Sequence, residues 1–151
     1  MGDVPWKSVK TGWRSSLAQK EDGSLWAWGD NDEGQLGVGD REGHRIPTQV
    51  GLDLDWVDFS VGGKHALATK EDGSLWAWGV NSAGNFGTDL PWRSSNPLQV
   101  GENGWVNVAC NGYHSLAVKA DGSTWSWGLN RMGQLGIDGL MPVMGGNVWG
   151  E

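Results

Sequence analysis

Apolar and polar residues alternate in short runs along this chain, and the same runs return at a fixed interval. The segment Glu-Asp-Gly-Ser-Leu-Trp-Ala-Trp-Gly at 21–29 recurs unchanged at 71–79, and a close variant occupies 120–128. The repeat period is therefore 50 and then 49 residues. Self-similarity of this kind is typical of repeat architectures. We interpret residues 1–151 as one domain built from three repeats, approximately 6–55, 56–104 and 105–151.

Each repeat predicts four short strands. The first begins at a tryptophan (Trp6, Trp56 or Trp105), and the second covers 15–20, 65–70 and 114–119. An Asp-Gly pair then separates the second strand from a third that carries Trp-x-Trp, which is a typical tight-hairpin pattern. A fourth strand is predicted to start at a proline, over 47–50, 97–100 and, more loosely, 142–144.

Four antiparallel strands repeated every 50 residues or so predict the blade of a β-propeller. The fold class expected is all-β, with three blades per chain, which makes a partial or half propeller. Because side chains alternate between the two faces of a strand, both tryptophans of each third strand share one face. We expect these residues to pack between blades: Trp26, Trp28, Trp76, Trp78, Trp125 and Trp127.

The repeat motifs resemble the regulator of chromosome condensation repeat family, in its bacterial-type propeller form. The third copy contains His-x-Leu-Ala at 114–117, Trp-x-Trp-Gly-x-Asn at 125–130 and Gly-Gln-Leu-Gly at 133–136. The first copy departs from the motif, because Ser15 stands where the others have His65 and His114. The resemblance implies a propeller that binds proteins, including nucleotide exchange on a small GTPase or inhibition of an enzyme. Neither of these activities can be assigned to particular residues here.

Three blades are fewer than the roughly 4 to 8 that close a propeller. An end blade would expose its paired indoles, so we expect two chains to join into one ring of six blades, a homodimer. The segment 147–150 resembles the Trp-led opening of a fourth repeat and is expected to pair across that junction. The alternative is a structural fragment of a longer propeller that has no ligand of its own.

The amino-acid composition and the net charge limit the kinds of function that the chain can have. The chain has 26 glycines and 12 tryptophans, which fits many tight turns between sheets with large apolar side chains. A net charge of −7 argues against nucleic acid or an anionic membrane as partner. We find no signal peptide and no apolar run of membrane-spanning length, so the default expectation is a cytoplasmic protein.

The sequence shows no catalytic or metal-binding pattern. We expect His65 and His114 to form structural hydrogen bonds with the backbone, and the lone Cys110 to behave as a small buried apolar residue. The glycine-rich loops lack the lysine and helix of a phosphate-binding loop. We therefore predict no enzyme activity, no catalytic residue, no cofactor and no metal.

The copies differ mainly in the long loops at 30–45, 80–95 and 129–141, and loops on a rigid scaffold commonly bind partners. The function expected is a non-enzymatic protein-interaction scaffold that binds another protein as well as itself. A carbohydrate-binding, lectin-like propeller with Trp92 or Trp13 as stacking platform is the alternative. The candidate contact residues are Trp92, Arg93, Arg41, His44, Arg45, Arg131 and Met132.

Overall fold

The structure, a computed structural model, describes residues 3–89, 91–137 and 143–149, and within them the strands form three four-stranded antiparallel sheets. Sheet 1 contains β1 (Trp6–Thr11), β2 (Ser15–Lys20), β3 (Leu25–Gly29) and β4 (His44–Gln49). Sheet 2 contains β5 (Trp56–Val61), β6 (His65–Lys70), β7 (Leu75–Val80) and β8 (Arg93–Val100). Sheet 3 contains β9 (Trp105–Asn111), β10 (His114–Lys119), β11 (Thr124–Gly128) and β12 (Val143–Trp149).

The prediction of all-β blades is confirmed, because each sheet holds its four strands in chain order. The second strand of every repeat has the predicted bounds, 15–20, 65–70 and 114–119. The predicted start of the fourth strand is wrong: β4 begins at His44 and β8 at Arg93, so Pro47 and Pro97 lie inside these strands. Both strands are at the outer edge of a sheet, where a missing N–H need not break the ladder.

The prediction for the end of the chain is also wrong. Val148 pairs with Trp125 and Trp149 with Thr124, so this segment is the outer strand of sheet 3 and not the opening of a fourth repeat. Its Trp-containing pattern resembles a first strand because both strands alternate in the same way. The backbone pairing with β11 identifies the segment as a fourth strand and not a first strand.

The hairpin between the second and third strands is held in each sheet by the same series of hydrogen bonds, which joins an aspartate, a serine and a tryptophan. In sheet 2, the Asp72 carboxylate accepts the Ser74 backbone N–H at 2.9 Å, and the Ser74 hydroxyl accepts the Trp76 indole N–H at 2.8 Å. The hydrogen bonds from Ser74 hold the pKa of Asp72 below its usual value. Gly73 takes a φ of +78°, which the tight turn requires and other residues rarely adopt.

The sheets stack side by side, with the first strand of each sheet innermost. Strand β5 packs against β1 and β2, and β9 packs against β5 and β6. Two apolar clusters fill the spaces between the sheets: one joins Leu17 and Leu36 to Phe59 and Trp78, and the other joins Leu67 to Trp127 and its neighbours. The core is therefore divided between two junctions, and sheet 2 takes part in both.

Candidate functional site

One tryptophan closes each junction between two sheets. Trp78 is fully buried, and its indole N–H donates to the backbone carbonyl of Gln35, in the loop of sheet 1, at 3.0 Å. Trp127 makes the equivalent bond to the Asn85 carbonyl of sheet 2 at 2.7 Å. Each indole covers a glycine: a Cβ added to Gly37 would lie 2.7 Å from the Trp78 ring. The glycine-rich loop of one sheet is thus a socket for the tryptophan of the next.

The other tryptophan of each pair lies nearer the surface. Trp76 and Trp125 are half-buried and pack against the two apolar clusters. The Lys70 ammonium lies 4.7 Å and 4.6 Å from the ring centroids of Trp56 and Trp76, close enough for cation–π attraction. Lysines 20 and 119 occupy the same position in the other sheets. Sequence reasoning missed these lysines, although a lysine ends the second strand of every repeat.

A buried histidine links sheets 2 and 3. The His65 Nε2 lies 2.9 Å from the Ser115 hydroxyl, which itself donates to the Asn85 carbonyl. Because the single hydroxyl proton is used for that carbonyl, the imidazole must donate through Nε2. Burial lowers the pKa of His65 to about 3, so the ring is neutral at ordinary pH. The expected backbone partner is wrong: the histidine bonds to a side chain of the neighbouring sheet.

Sheet 1 has one face that no described residue of another sheet covers. We call it the Trp28 face; it is formed by Val9, Ser16, Ala18, Trp26 and Trp28. Val9 is 62% exposed, whereas its equivalents Phe59 and Val108 are 1% and 2% exposed. Trp28 is half-buried, while the equivalent Trp78 and Trp127 are buried. The surface that forms the junctions in sheets 2 and 3 is therefore open to solvent in sheet 1.

Sheet 3 has the complementary open face at the other end of the described arc. We call it the His114 face; it is formed by His114, Leu116, Gln134 and Gly136. Leu116 is half-buried, whereas its equivalents Leu17 and Leu67 are fully buried. The loop after β11 already holds its socket shape, since Leu135 is buried and its N–H donates to the Asn130 side chain at 3.0 Å.

The candidate contact residues occupy the loop after the third strand of each sheet and the strand that follows it. Trp92 is 60% exposed and carries the Arg93 guanidinium 4.2 Å from its ring centroid. Arg93 donates to the Glu33 carboxylate at 3.2 Å, and Lys64 reaches the same carboxylate at 3.4 Å. The guanidinium that lies against the exposed indole therefore belongs to an ion-pair network that spans sheets 1 and 2.

The remaining candidates lie in the equivalent loops of sheets 1 and 3. Arg41 and Arg45 are exposed, and His44 begins β4 with its imidazole 3.1 Å from the Asp40 carboxylate. Arg131 and the highly exposed Met132 belong to the loop after β11. Because these loops all follow third strands, the candidates share one rim of the arc but do not form a single cluster.

The same rim carries a second exposed tryptophan nearer the axis, because the turn between β1 and β2 lies beside the end of β3, where the Asp30 N–H donates to the Arg14 backbone carbonyl at 2.8 Å. Trp13, in the turn between β1 and β2, is 59% exposed and meets Tyr113 of sheet 3 edge to face, with ring centroids 5.6 Å apart. This turn crosses the corresponding glycine turn of sheet 2, since a Cβ on Gly63 would lie 3.1 Å from the Trp13 ring. The first-strand turns of all three sheets therefore meet near the axis of the arc.

The described residues offer little for catalysis or metal chemistry. They contain no group of three or more His, Cys, Asp or Glu side chains that could hold a metal ion. Burial raises the pKa of the Cys110 thiol to about 12, which keeps it protonated and unreactive. Across 3–89, 91–137 and 143–149, no helix has the length and apolar character needed to cross a membrane.

Comparison with known families gives one match over most of the chain. The regulator of chromosome condensation (RCC1) repeat matches residues 22–69 and 72–118. A second form of the same repeat matches 6–35, 56–85 and 105–134, one match per sheet. Among curated proteins, the mouse X-linked retinitis pigmentosa GTPase regulator is 46% identical over 44 residues, which are 29% of this chain and 4% of that protein.

Several solved structures share the fold. Human WBSCR16 superposes with a TM-score of 0.85 at 23% identity, over 97% of this chain. Prp20p from Saccharomyces cerevisiae, described with its binding to Gsp1p and histones, gives 0.85 at 24% identity over 95% of the chain. Yeast RCC1 (Prp20) bound to Kap60 gives 0.83 at 22% identity over 99%. This chain spans 38% of the length of each of these proteins.

Proposed function

The chain belongs to the family of regulator of chromosome condensation (RCC1) repeats, and on this premise we propose that it is a non-enzymatic protein-interaction scaffold. It binds another protein through the rim that carries Trp92, and it completes its ring by pairing with a second copy of itself. The observation that carries the first part is the exposed Trp92–Arg93 pair. The observation that carries the second is the pair of open end faces.

The rim has the residue types that dominate binding at protein interfaces. Tryptophan and arginine are enriched among interface residues that cost most when truncated. Here the indole and guanidinium are already stacked, and Glu33 holds the arginine in that position. Fixing the side chains before a partner arrives lowers the entropy that binding would otherwise lose. Arg41, Arg45 and Arg131 lie on the same rim among carboxylates such as Asp32 and Glu42, so the rim offers charges of both signs to a partner.

Relatives of the same fold bind proteins. Prp20p is described with Gsp1p and histones, and yeast RCC1 with Kap60. These partners belong to those longer proteins, of which this chain spans 38%. They support a protein partner for this chain rather than any one of those partners.

The rim proposal is tested by affinity capture from a lysate of the source organism, with proteins identified by mass spectrometry. The Trp92→Ser variant is compared with wild type and with Trp13→Ser, which removes an equally exposed indole from the part of the same rim that lies near the axis. We expect the same specific proteins with wild type and Trp13→Ser, and their loss with Trp92→Ser. Capture of the same proteins by all three would contradict a role for this rim.

Self-association is supported by the apolar area left at the ends. The Trp28 face includes two indoles that are partly uncovered, and burying their remaining surface is worth at most roughly 4–6 kcal/mol at about 25 cal/mol per Å². A ring of two chains buries this face twice but loses translational and rotational freedom once. Closure is thus favoured over an open arc, whose ends would remain exposed.

The carbohydrate-binding alternative uses the same Trp92. Sugar rings stack on a free aromatic face, and Arg93 already occupies one face of this indole. A glycan array with wild type and the Trp92→Ser variant distinguishes the two functions. Binding of any glycan that disappears in the variant would favour the lectin-like alternative.

A further inference from the structure

We infer that the two end faces fit each other head to tail, so that the His114 face of one copy receives the Trp28 face of a second copy. This inference rests on the proposed self-association and specifies its contacts. Each new junction repeats the two junctions already present within the chain. Trp28 donates its indole N–H to the Gln134 carbonyl of the other copy, and His114 bonds to the Ser16 hydroxyl of the other copy.

The tryptophan contact follows from the internal junctions. Trp78 and Trp127 donate to the carbonyls of Gln35 and Asn85, each in the loop of the preceding sheet. Gln134 occupies the same position in the loop of sheet 3, and Trp28 the same position in β3. Donor and acceptor are therefore both present, at opposite ends of the described arc.

The glycine beneath the indole is present as well. Gly37 and Gly87 leave room for Trp78 and Trp127, with φ values of +71° and +75°. Gly136 has a φ of +67° and no side chain, so the loop of sheet 3 has the same shape as the two occupied sockets. At both internal junctions a socket of this form holds an indole.

The histidine–serine pairing indicates which sheet comes next. Between sheets 2 and 3, His65 meets Ser115. Between sheets 1 and 2, the histidine is replaced by Ser15, and the serine position holds Ala66. The junction without a histidine therefore also lacks its hydroxyl partner.

Two members of this pattern have no counterpart among the residues that the structure describes. His114 is at the histidine position of the open face of sheet 3, and Ser16 is at the serine position of the open face of sheet 1, cross-strand from Trp28. Pairing His114 with Ser16 of a second copy would repeat the contact between His65 and Ser115. A second copy of this chain is therefore the occupant that these residues fit.

The pairing also defines the symmetry of the ring. With a two-fold axis along the propeller axis, His114 of the first copy meets Ser16 of the second at one junction, and Ser16 of the first copy meets His114 of the second at the other. Both junctions then have the polarity of the internal ones. Face-to-face pairing of two Trp28 faces would place two indoles opposite each other and leave both glycine sockets empty.

Variants that block one face at a time test the polarity. Val9→Glu adds a charge to the Trp28 face at a residue that is exposed in the single chain. Gly136→Asn fills the socket of the His114 face, and asparagine tolerates a positive φ. The matched controls are Val57→Glu, on the exposed side of β5, and Gly101→Asn, where φ is +58° and no atom lies within 4 Å of an added Cβ.

We expect wild type and both controls to form dimers by sedimentation velocity, and each blocked variant to sediment as a single chain. An equimolar mixture of the two blocked variants should restore a 1:1 complex, because one junction in it has two intact faces. This complex should dissociate at higher concentration than the wild-type dimer, since it has one junction instead of two. Circular dichroism and thermal melting of each variant confirm that it is folded.

A finer pair of variants tests the indole bond. Trp28→Phe keeps an aromatic ring but removes the N–H, and we expect the dissociation constant of the dimer to rise at least about tenfold. Trp76→Phe is the control, because the Trp76 indole bonds to Ser74 within its own sheet at 2.8 Å and belongs to neither open face.

The outcomes of these experiments distinguish a failure of head-to-tail pairing from a failure of self-association. A wild-type chain that stays single would overturn self-association itself. A wild-type dimer that persists in Gly136→Asn, or blocked variants that do not recombine, would overturn the head-to-tail pairing and leave self-association standing.

Discussion

Two buried serines have opposite surroundings, although both lie near a junction between sheets. The Ser15 hydroxyl is buried and has no hydrogen-bond partner among the described residues. The Ser115 hydroxyl joins the His65 ring and the Asn85 carbonyl, at 2.9 Å each. A buried polar atom without a partner lowers stability, whereas one with two partners contributes to it.

These surroundings predict opposite effects of the same substitution. Ser15→Ala should raise the free energy of unfolding by about 1 kcal/mol, because it removes an unpaired polar atom. Ser115→Ala should lower it by roughly 1–3 kcal/mol, because it leaves the His65 ring without its partner. Denaturant unfolding of both variants measures the difference, and equal shifts in the same direction would contradict the hydrogen bonding described here.

The buried His65 predicts how stability depends on pH. Its pKa is about 3 in the folded chain, against an ordinary value of 6.5, so between these pH values the unfolded chain binds a proton that the folded chain does not. The free energy of unfolding should therefore fall as pH decreases below about 6.5, by up to roughly 1.4 kcal/mol per pH unit from this residue. Denaturation of wild type and His65→Gln between pH 6.5 and 5 measures it. The variant should show the flatter dependence, and parallel curves would count against a neutral buried ring.

The role of His65 could be predicted from the sequence only in part. Its place at a repeat position indicated a structural residue, but its partner, Ser115, lies 50 residues away in another sheet. Local pattern gives no information about which side chains meet across a junction. The distance between repeats supplies that information only after the stacking of the sheets is known.

Within each sheet, a lysine sits over two tryptophan rings, and the three lysines differ in their surroundings. Lys70 is buried and also forms ion pairs with Asp53 at 2.8 Å and Asp55 at 3.4 Å. Lys119 is half-buried, and its ammonium lies 4.9 Å and 5.0 Å from the centroids of Trp105 and Trp125. Cation–π attraction strengthens as the groups lose water.

Replacing these lysines by methionine keeps the apolar stem and removes the charge. Lys70→Met should lower the free energy of unfolding by about 1–2 kcal/mol, and Lys119→Met by about 0.5–1 kcal/mol. Thermal and denaturant unfolding compare the two variants. A loss at Lys119 equal to or greater than that at Lys70 would contradict the larger contribution expected of the lysine that is more buried and also ion-paired.

The bounds of a strand were predictable where the side-chain pattern determines them, and less so where the strand lies at the edge of a sheet. The second and third strands flank an Asp-Gly turn whose positive φ only glycine adopts easily, so the bounds of the second strand and the start of the third follow from the sequence. The fourth strand extends to His44 and Arg93 because an edge strand tolerates Pro47 and Pro97. The segment 147–149 was assigned to the wrong element because alternation alone does not identify a pairing partner.

For the molecule as a whole, the repeat predicted three stacked sheets, and the structure adds which faces remain open. Trp6 occupies a core position in the repeat but is exposed, because no described sheet covers that side of β1. Its equivalents Trp56 and Trp105 are buried by the sheets before them. The candidate rim could be located from loop variation, but the Glu33 network that holds Arg93 could not, since it joins two repeats.

We predict that the Trp28 face and the His114 face join two chains into one ring of six sheets. Sedimentation equilibrium over a wide concentration range tests this most directly, because it gives the mass without assuming a shape. We predict a mass twice the 16.3 kDa of one chain, and 16.3 kDa for the Val9→Glu variant. A wild-type chain that stays at 16.3 kDa at every concentration, or that grows into open polymers, would contradict the central claim.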